Sequence, residues 1–433
     1  MTNDRLTYYA YNGLLAAISP AVAGYCAWSA VRARRPGSVV RQQLGLAAPQ
    51  LPKVRPERRV WIQAVSVGEA VAVAPVFSEL RRLLPDAELT LSTTTTTGNE
   101  MARKAVPEAD NVIYFPMDFI PAVKRSLALI RPDVFVTVET EIWPNFFYQC
   151  RQKGVPVAIV NGIISDNTYR WRRRLAWMYR WALGGVDLLL MQSPEDAARV
   201  VELGARPDRA QVAGNCKFDQ LPSGLSDEDR RELRDAFKMR NGSPAIVAGS
   251  TNPGEEEQVL DAYRILRRKR GDLRLVIAPR QLNRTEAIRA LVSSYGFSCG
   301  LRSDAAGLSG GEDVVILDTM GELAAVYGIA TVAFVGGSLI PKGGHNILQP
   351  IAHGRPVIYG PYMHKARDLA RIAGEAGVGF QVADSAGLAR VAESLLENPA
   401  RLEEVRVKAE ALIERNRGAS RRCAEAIAEL CPS

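Results

Sequence analysis

RVWIQAVSVGEAVAVAPVFSELRRLL, residues 59–84, decides the fold. Residues 59–65 are a short apolar run, as a parallel strand buried on both faces reads. SVGEA (66–70) is a strand-to-helix turn, and AVAVAPVFSELRRLL (70–84) carries apolar residues at helical spacing. Downstream the same phrase recurs. ELTLSTT (88–94), NVIYF (111–115), DVFVTVE (133–139), VPVAIV (155–160) and VDLLLMQ (186–192) each precede a helical pattern, and a further strand falls near Gln211–Ala213. LPSGLSDED (221–229) reads as a connector, after which AIVAGS (245–250), LRLVIAP (273–279), VVILD (314–318), TVAFVGG (331–337) and PVIYG (356–360) restart the pattern. Repeated strand–helix units predict an α/β fold of two Rossmann-like, doubly wound domains. Such domains place ligands beyond the carboxyl ends of their strands.

The length of 433 residues suits two sizeable domains. Hydrophobic residues at 47% and charged residues at 24% are ordinary for folded protein, which excludes disorder, collagen-like repeats and a polytopic membrane protein. The formal charge is +8, and it is concentrated. Arg32, Arg34, Arg35, Arg41, Lys53, Arg55, Arg58 and Arg59 face one acid, Glu57, so the rest of the chain is nearly neutral. No nucleic-acid partner is expected. Six scattered cysteines without a C-x-x-C pair, and only three histidines, predict no metal site and a reducing compartment.

Leu6–Val31 contains no charged residue. A spanning helix needs about 20 apolar residues, so the segment is long enough. Tyr8, Tyr9 and Tyr11 at one end and Tyr25 and Trp28 at the other sit as interfacial rings do. The arginines that follow place the body in the cytoplasm. Gly13, Pro20 and Gly24 also allow a broken, interfacial or groove-buried segment. The expected domains are therefore an anchor with basic flank (1–35), an N-terminal domain (36–220) and a C-terminal domain (221–433), the last helix being a candidate to pack back on the N-terminal one.

Four loops carry candidate chemistry. In SVGEA, Ser66 and Gly68 open a helix whose N–H groups favour anions, and Glu69 is either a general base or a helix-start acid. In VETEIWPN (138–145), Glu139 and Glu141 are either acid/base carboxylates or a cap plus a surface acid. In GNCKFD (214–219), Lys217 either sits over a phosphate or is paired by Asp219. VGGSLIPKGGHNILQP (335–350) is a glycine-rich loop whose amides would cradle phosphate, Gly344 shaping it and His345 and Asn346 directing it. It is neither G-x-G-x-x-G nor a Walker motif, so NAD and ATP are not expected. GSTNPGEEE (249–257), APRQLNR (278–284) and DTMGEL (318–323) complete a nucleotide-binding rim. TYRWRRRLAWMYRWALGG (168–185) interleaves five Arg with Trp and Tyr, as a lipid-phosphate-facing patch or as a helix with a solvated Arg face.

SVGE, ETEIWPN, GNCKFD, the STxxGEE pattern, APR, DTMGEL and VGGS…GGHN, in this order, resemble the Kdo transferases of lipopolysaccharide synthesis. The resemblance implies a metal-independent, inverting glycosyltransferase of the GT-B type, two Rossmann-like domains facing a cleft. It implies transfer of 3-deoxy-D-manno-octulosonic acid (Kdo) from CMP-Kdo to a lipid A precursor, without cofactor, at the cytoplasmic face of the cell inner membrane, whose lipids are partners. It makes Glu69 the base that deprotonates the acceptor, with Glu139 and Lys217 assisting. Pro279 and Arg280, Met320, Gly321 and Glu322, and Asn346, Ile347, Leu348 and Gln349 would hold the CMP portion. The chain departs from the family pattern at Gln63, Asn252 and Gln281, where His is usual, and at Gln349, where an acid is usual. Those departures keep two alternatives open: a GT-B transferase for another sugar nucleotide or acceptor, and a non-catalytic, membrane-bound sugar-nucleotide-binding homologue.

Overall fold

In the computed structural model the described residues are 2–32, 37–46, 57–139, 141–164, 166–221, 224–239, 242–304 and 307–432. Arg34, Arg35, Lys53 and Arg55 of the basic collar lie outside them, as do the side chains of Tyr25 and Trp28. The chain forms two units, Met1–Gln220 with Asn416–Ser433, and Leu221–Arg415.

The first unit holds β1 (Arg59–Gln63), β2 (Glu88–Thr93), β3 (Asn111–Tyr114), β4 (Val134–Val138), β5 (Val157–Gly162), β6 (Leu188–Met191) and β7 (Ala210–Val212). They form one sheet in the order β3-β2-β1-β4-β5-β6-β7, every pairing parallel. β1, β2, β4 and β5 are buried at every residue; the apolar stretches of β1, β4 and β5 read accordingly, whereas β2, ELTLST, alternates and buries Glu88, Thr90 and Ser92 on hydrogen bonds. The helix Val67–Leu83 buries Ala70, Val73, Val76, Phe77 and Leu80 on one face of the sheet. Ala419, Cys423, Ala424 and Ile427 of the final helix, Ala419–Leu430, share that core. Each large apolar side chain buried there contributes about 1.5–3 kcal/mol. On the other face Trp61, Phe115, Phe135 and Phe146 pack ring on ring, and Trp61 Nε1 donates to Ser92 Oγ at 2.7 Å.

The apolar N-terminus is one helix, Thr2–Arg32, with Pro20 inside. It is not apolar all round. Tyr11 Oη donates to Asp118 Oδ2 (2.9 Å), Asn12 and Asn145 exchange amide hydrogen bonds (2.9 and 2.8 Å), and the Tyr8 ring lies 4.5 Å from that of Tyr148 and 6.1 Å from that of Trp181. Leu6, Tyr9, Leu14 and Ile18 point outward, 43–68% exposed. Among the described residues no helix is long and apolar enough to cross a membrane; through Tyr8, Tyr11 and Asn12 the N-terminal helix packs against the first unit, as the groove-buried alternative expects.

The second unit holds β8 (Ala245–Thr251), β9 (Arg274–Pro279), β10 (Cys299–Leu301), β11 (Val314–Ile316), β12 (Val332–Val335), β13 (Val357–Tyr359) and β14 (Gly379–Gln381). Its sheet, again parallel throughout, has the order β10-β11-β9-β8-β12-β13-β14. A Cβ at Gly249 would stand 1.9 Å from the Tyr327 hydroxyl, so that position in β8 takes only glycine without a shift.

Candidate active site

Both sheets reverse direction of winding at one place, between β1 and β4 and between β8 and β12. Loops at the carboxyl ends of such strands diverge and leave room for a ligand. Glu69 follows β1, and Glu139 and Glu141 follow β4, so the first switch point gathers three of the acids singled out in the sequence. Thr140 lies outside the described residues.

Ser66 caps the helix Val67–Leu83, so Glu69 sits in its first turn. The Glu69 N–H donates to Ser66 Oγ (3.2 Å), the Ser66 hydroxyl donates to Glu69 Oε1 (2.8 Å), and the Val65 N–H donates to Oε2 (2.8 Å). Glu69 is thus a helix-start acid in geometry. It is also buried, and loss of solvent first, then repulsion from Glu139, pushes its carboxyl up to about 7 against the hydrogen bonds from Val65 and Ser66. Burial likewise raises Glu141, with Arg172 opposing and Glu139 adding. A carboxylate titrating near neutrality is the proton affinity that general-base work needs.

Glu139 adopts φ 59°, a left-handed conformation that costs a non-glycine residue energy. Its N–H donates to the Val160 carbonyl (3.0 Å), and Lys217 Nζ meets Oε1 at 3.0 Å. Asn161, itself at φ 52°, accepts from the Cys216 N–H (3.0 Å), while Asn215 Nδ2 donates to Gln192 Oε1 (2.8 Å) and its N–H to Asn416 Oδ1 (3.1 Å). That network fixes the segment bearing Lys217. The expected alternative, Asp219 pairing Lys217, is corrected: Asp219 accepts from the Gly418 and Ser420 N–H groups, both at 2.6 Å, and so caps the final helix.

The glycine-rich loop of the second unit holds an anion of the chain itself at its start. The N–H groups of Gly337 (2.7 Å), Ser338 (3.0 Å) and Leu339 (2.9 Å) donate to the fully buried Glu255 carboxylate, as does that of Asn252 (3.1 Å). These amides are therefore taken by the chain's own anion, ahead of the GGHN segment at 343–346. Gly336 allows this approach, since a Cβ would lie 2.5 Å from the Ser250 carbonyl oxygen. Beyond it, the Gly344 N–H donates to the Gly337 carbonyl (2.7 Å), and Asn346 Oδ1 accepts from the Leu348 N–H (2.9 Å). His345 is half-buried, with no partner for Nε2 among the described residues; burial, then Arg280, hold its ring below the ordinary imidazole value. Ile347 and Leu348 are buried and Gln349 half-buried. Pro279 is buried and Arg280 exposed at the end of β9, and Met320 stands 83% exposed beside Gly321. Glu322 is held by Arg302 (3.0 Å) and by the Thr319 hydroxyl. Among the departures, Gln63 accepts from the Ser92 hydroxyl and Asn252 donates to the Ser250 carbonyl (3.2 Å).

Two buried acids that hold the loops in place escaped sequence reading. Asp118 takes the Asn145 (3.0 Å) and Phe146 (2.8 Å) N–H groups at the start of the helix that follows ETEIW, and Tyr11 as well. No motif marks it. Glu255 had a signal, a triple acid at a helix start after a strand, but nothing in sequence says which acid turns inward.

Since an ionised Glu69 is required of a base, kcat/KM should fall as pH drops below about 7. Glu139→Gln removes a repulsion, so the acidic limb should move to lower pH. A limb near the ordinary carboxylate range in the wild type would remove Glu69 from this role.

Two doubly wound parallel sheets with polar switch-point loops are the architecture of GT-B glycosyltransferases. The fold likeness extends to UDP-GlcNAc 2-epimerase from Neisseria meningitidis, solved bound to UDP-GlcNAc, with TM-score 0.56 and 16% identity over 86% of this chain and 100% of that one. A family model described as 3-deoxy-D-manno-octulosonic-acid transferase (kdotransferase) matches residues 38–220. A 3-deoxy-D-manno-octulosonic acid transferase of Bordetella pertussis is 33% identical over 379 residues, 85% of this chain and 86% of that protein. A bifunctional glycosyltransferase/methyltransferase of Fusobacterium nucleatum subsp. nucleatum is 33% identical over 333 residues, 76% of this chain; the chain spans 51% of that relative's length. The chain belongs to the 3-deoxy-D-manno-octulosonic acid transferase family and is a glycosyltransferase.

Proposed function

We propose that the protein transfers Kdo from CMP-Kdo to a lipid A precursor, a tetraacyl disaccharide bisphosphate, with inversion and without a metal ion. The observation that carries the reading is Glu69, a buried carboxylate at the first switch point whose proton affinity is raised to about 7. Glu69 takes the proton of the acceptor hydroxyl as its oxygen bonds to the anomeric carbon, and the bond to phosphate breaks with its electron pair leaving on CMP. Lys217, positioned by Glu139, supplies positive charge as that negative charge develops. The family and the name of the Bordetella relative support Kdo as the sugar transferred. The donor carries a single phosphate, so an arginine and backbone amides suffice for it. CMP should be released from CMP-Kdo only when the lipid acceptor is present. Release from UDP-sugars instead, or consumption of CMP-Kdo without acceptor, would contradict the assignment.

The proposed acceptor is an anionic amphiphile, which supports reading the enzyme as one that works at the cytoplasmic face of the inner membrane. The helix Thr2–Arg32 lies in the interface with Leu6, Tyr9, Leu14 and Ile18 toward lipid, and exposed Trp171 and Trp177 with Arg170, Arg173, Arg174 and Arg180 meet headgroups. Deleting residues 1–31 should release the protein from membranes. It should also lower stability by about 1–3 kcal/mol in denaturant melts, because Asp118 and Asn145 lose Tyr11 and Asn12. Retention on membranes would move the attachment elsewhere; unchanged stability would mean the Tyr11 and Asn12 bonds are idle.

A further inference from the structure

The segment after β13 is bound to the glycine-rich loop. The Tyr362 N–H donates to the Ser338 carbonyl (2.9 Å), and the Lys365 N–H donates to the Gly343 carbonyl (2.9 Å). A Cβ at Gly343 would lie 2.7 Å from Lys365 Cγ, and one at Gly344 would lie 2.3 Å from Met363 Sδ. The two segments therefore touch at backbone distance, and Lys365 is pinned at the lip of that loop with its side chain exposed.

Among the half-buried cations of this unit Arg267, Arg284 and Arg302 pair with Asp313, Glu256 and Glu322, whereas Arg274 and Arg355 bond backbone carbonyls. Among the described residues Lys365 and Arg280 have no carboxylate partner. Burial first, then Arg280 and Lys365, disfavour the charged form of the His345 ring, with Glu255 opposing. Two cations with no carboxylate partner among the described residues thus act on one imidazole at the second switch point, and the Glu255 carboxylate nearby already accepts backbone N–H groups.

A nucleoside-monophosphate ester of an acidic sugar carries two separate negative charges, the phosphodiester and the sugar carboxylate. We propose that Lys365 is a specificity-determining residue that binds the carboxylate of the donor sugar, while Arg280 serves the phosphate. This rests on CMP-Kdo being the donor, and it adds the group by which the enzyme tells an acidic sugar from a neutral one.

Steady-state kinetics on the full-length protein separate the two. Lys365→Ala should raise KM for CMP-Kdo by about tenfold to a hundredfold, the worth of a hydrogen bond between charged groups, and leave inhibition by free CMP within twofold. Lys365→Arg should restore most of the loss, and Arg280→Ala should weaken CMP-Kdo and CMP together. A Lys365→Ala protein that loses CMP in the same proportion, or that keeps wild-type KM, overturns the proposal. Wild-type protein that CMP does not inhibit would overturn the donor reading itself, which is a different failure.

Discussion

Glu69→Gln should lower turnover by about 10²–10⁴-fold, the usual contribution of a general base, with CMP inhibition unchanged. The amide keeps the size of the side chain and can still accept from the Val65 N–H or the Ser66 hydroxyl, now 2.8 Å away, but cannot take a proton. Folding should not suffer. Because the folded-state value of Glu69 is raised to about 7, its contribution to stability is present below its unfolded value and lost as pH rises through about 7. At pH 8 the Gln variant should therefore melt at or above the wild-type temperature. Turnover within a few-fold of wild type would reduce Glu69 to a helix cap and make Glu139 the next candidate. Collapse of both turnover and CMP inhibition would mean that the residue holds the donor instead.

Glu255→Ala should destabilise the second unit by about 3–5 kcal/mol, the cost of removing one side of a buried charged contact. Four N–H groups, those of Asn252, Gly337, Ser338 and Leu339, lose their acceptor at a position that is 0% exposed. Glu255→Gln leaves one acceptor oxygen and should cost less. Denaturant melts of both variants check the ordering. A loss under 1 kcal/mol for Ala would show that the glycine-rich loop holds its shape without the carboxylate.

The strands were readable where both faces are buried. RVWIQ and VFVTV have no solvent side, so their sequences carry no alternation to mislead. β10 and β14 were not read. Each is three residues long at a sheet edge, paired on one side only and partly exposed, so neither carries an apolar run. The N-terminal helix shows its composition in sequence but not its use, because Tyr11 meets Asp118 across 107 residues. The same limit applies to the glycine-rich loop: spacing shows amides ready for an anion, and only the fold shows that Glu255 is the anion. Glu69 was readable as a carboxylate at a strand–helix turn. Its raised proton affinity was not, since that comes from burial and from Glu139, seventy positions on.

The most direct test is to incubate the purified, full-length protein with CMP-Kdo and tetraacyl lipid A precursor and weigh the lipid by mass spectrometry. The expected product is the precursor carrying one or more Kdo residues, formed by the wild type and nearly absent with Glu69→Gln. An unchanged lipid, or one carrying a different sugar when other nucleotide sugars are offered alongside, would contradict the assignment of donor and acceptor.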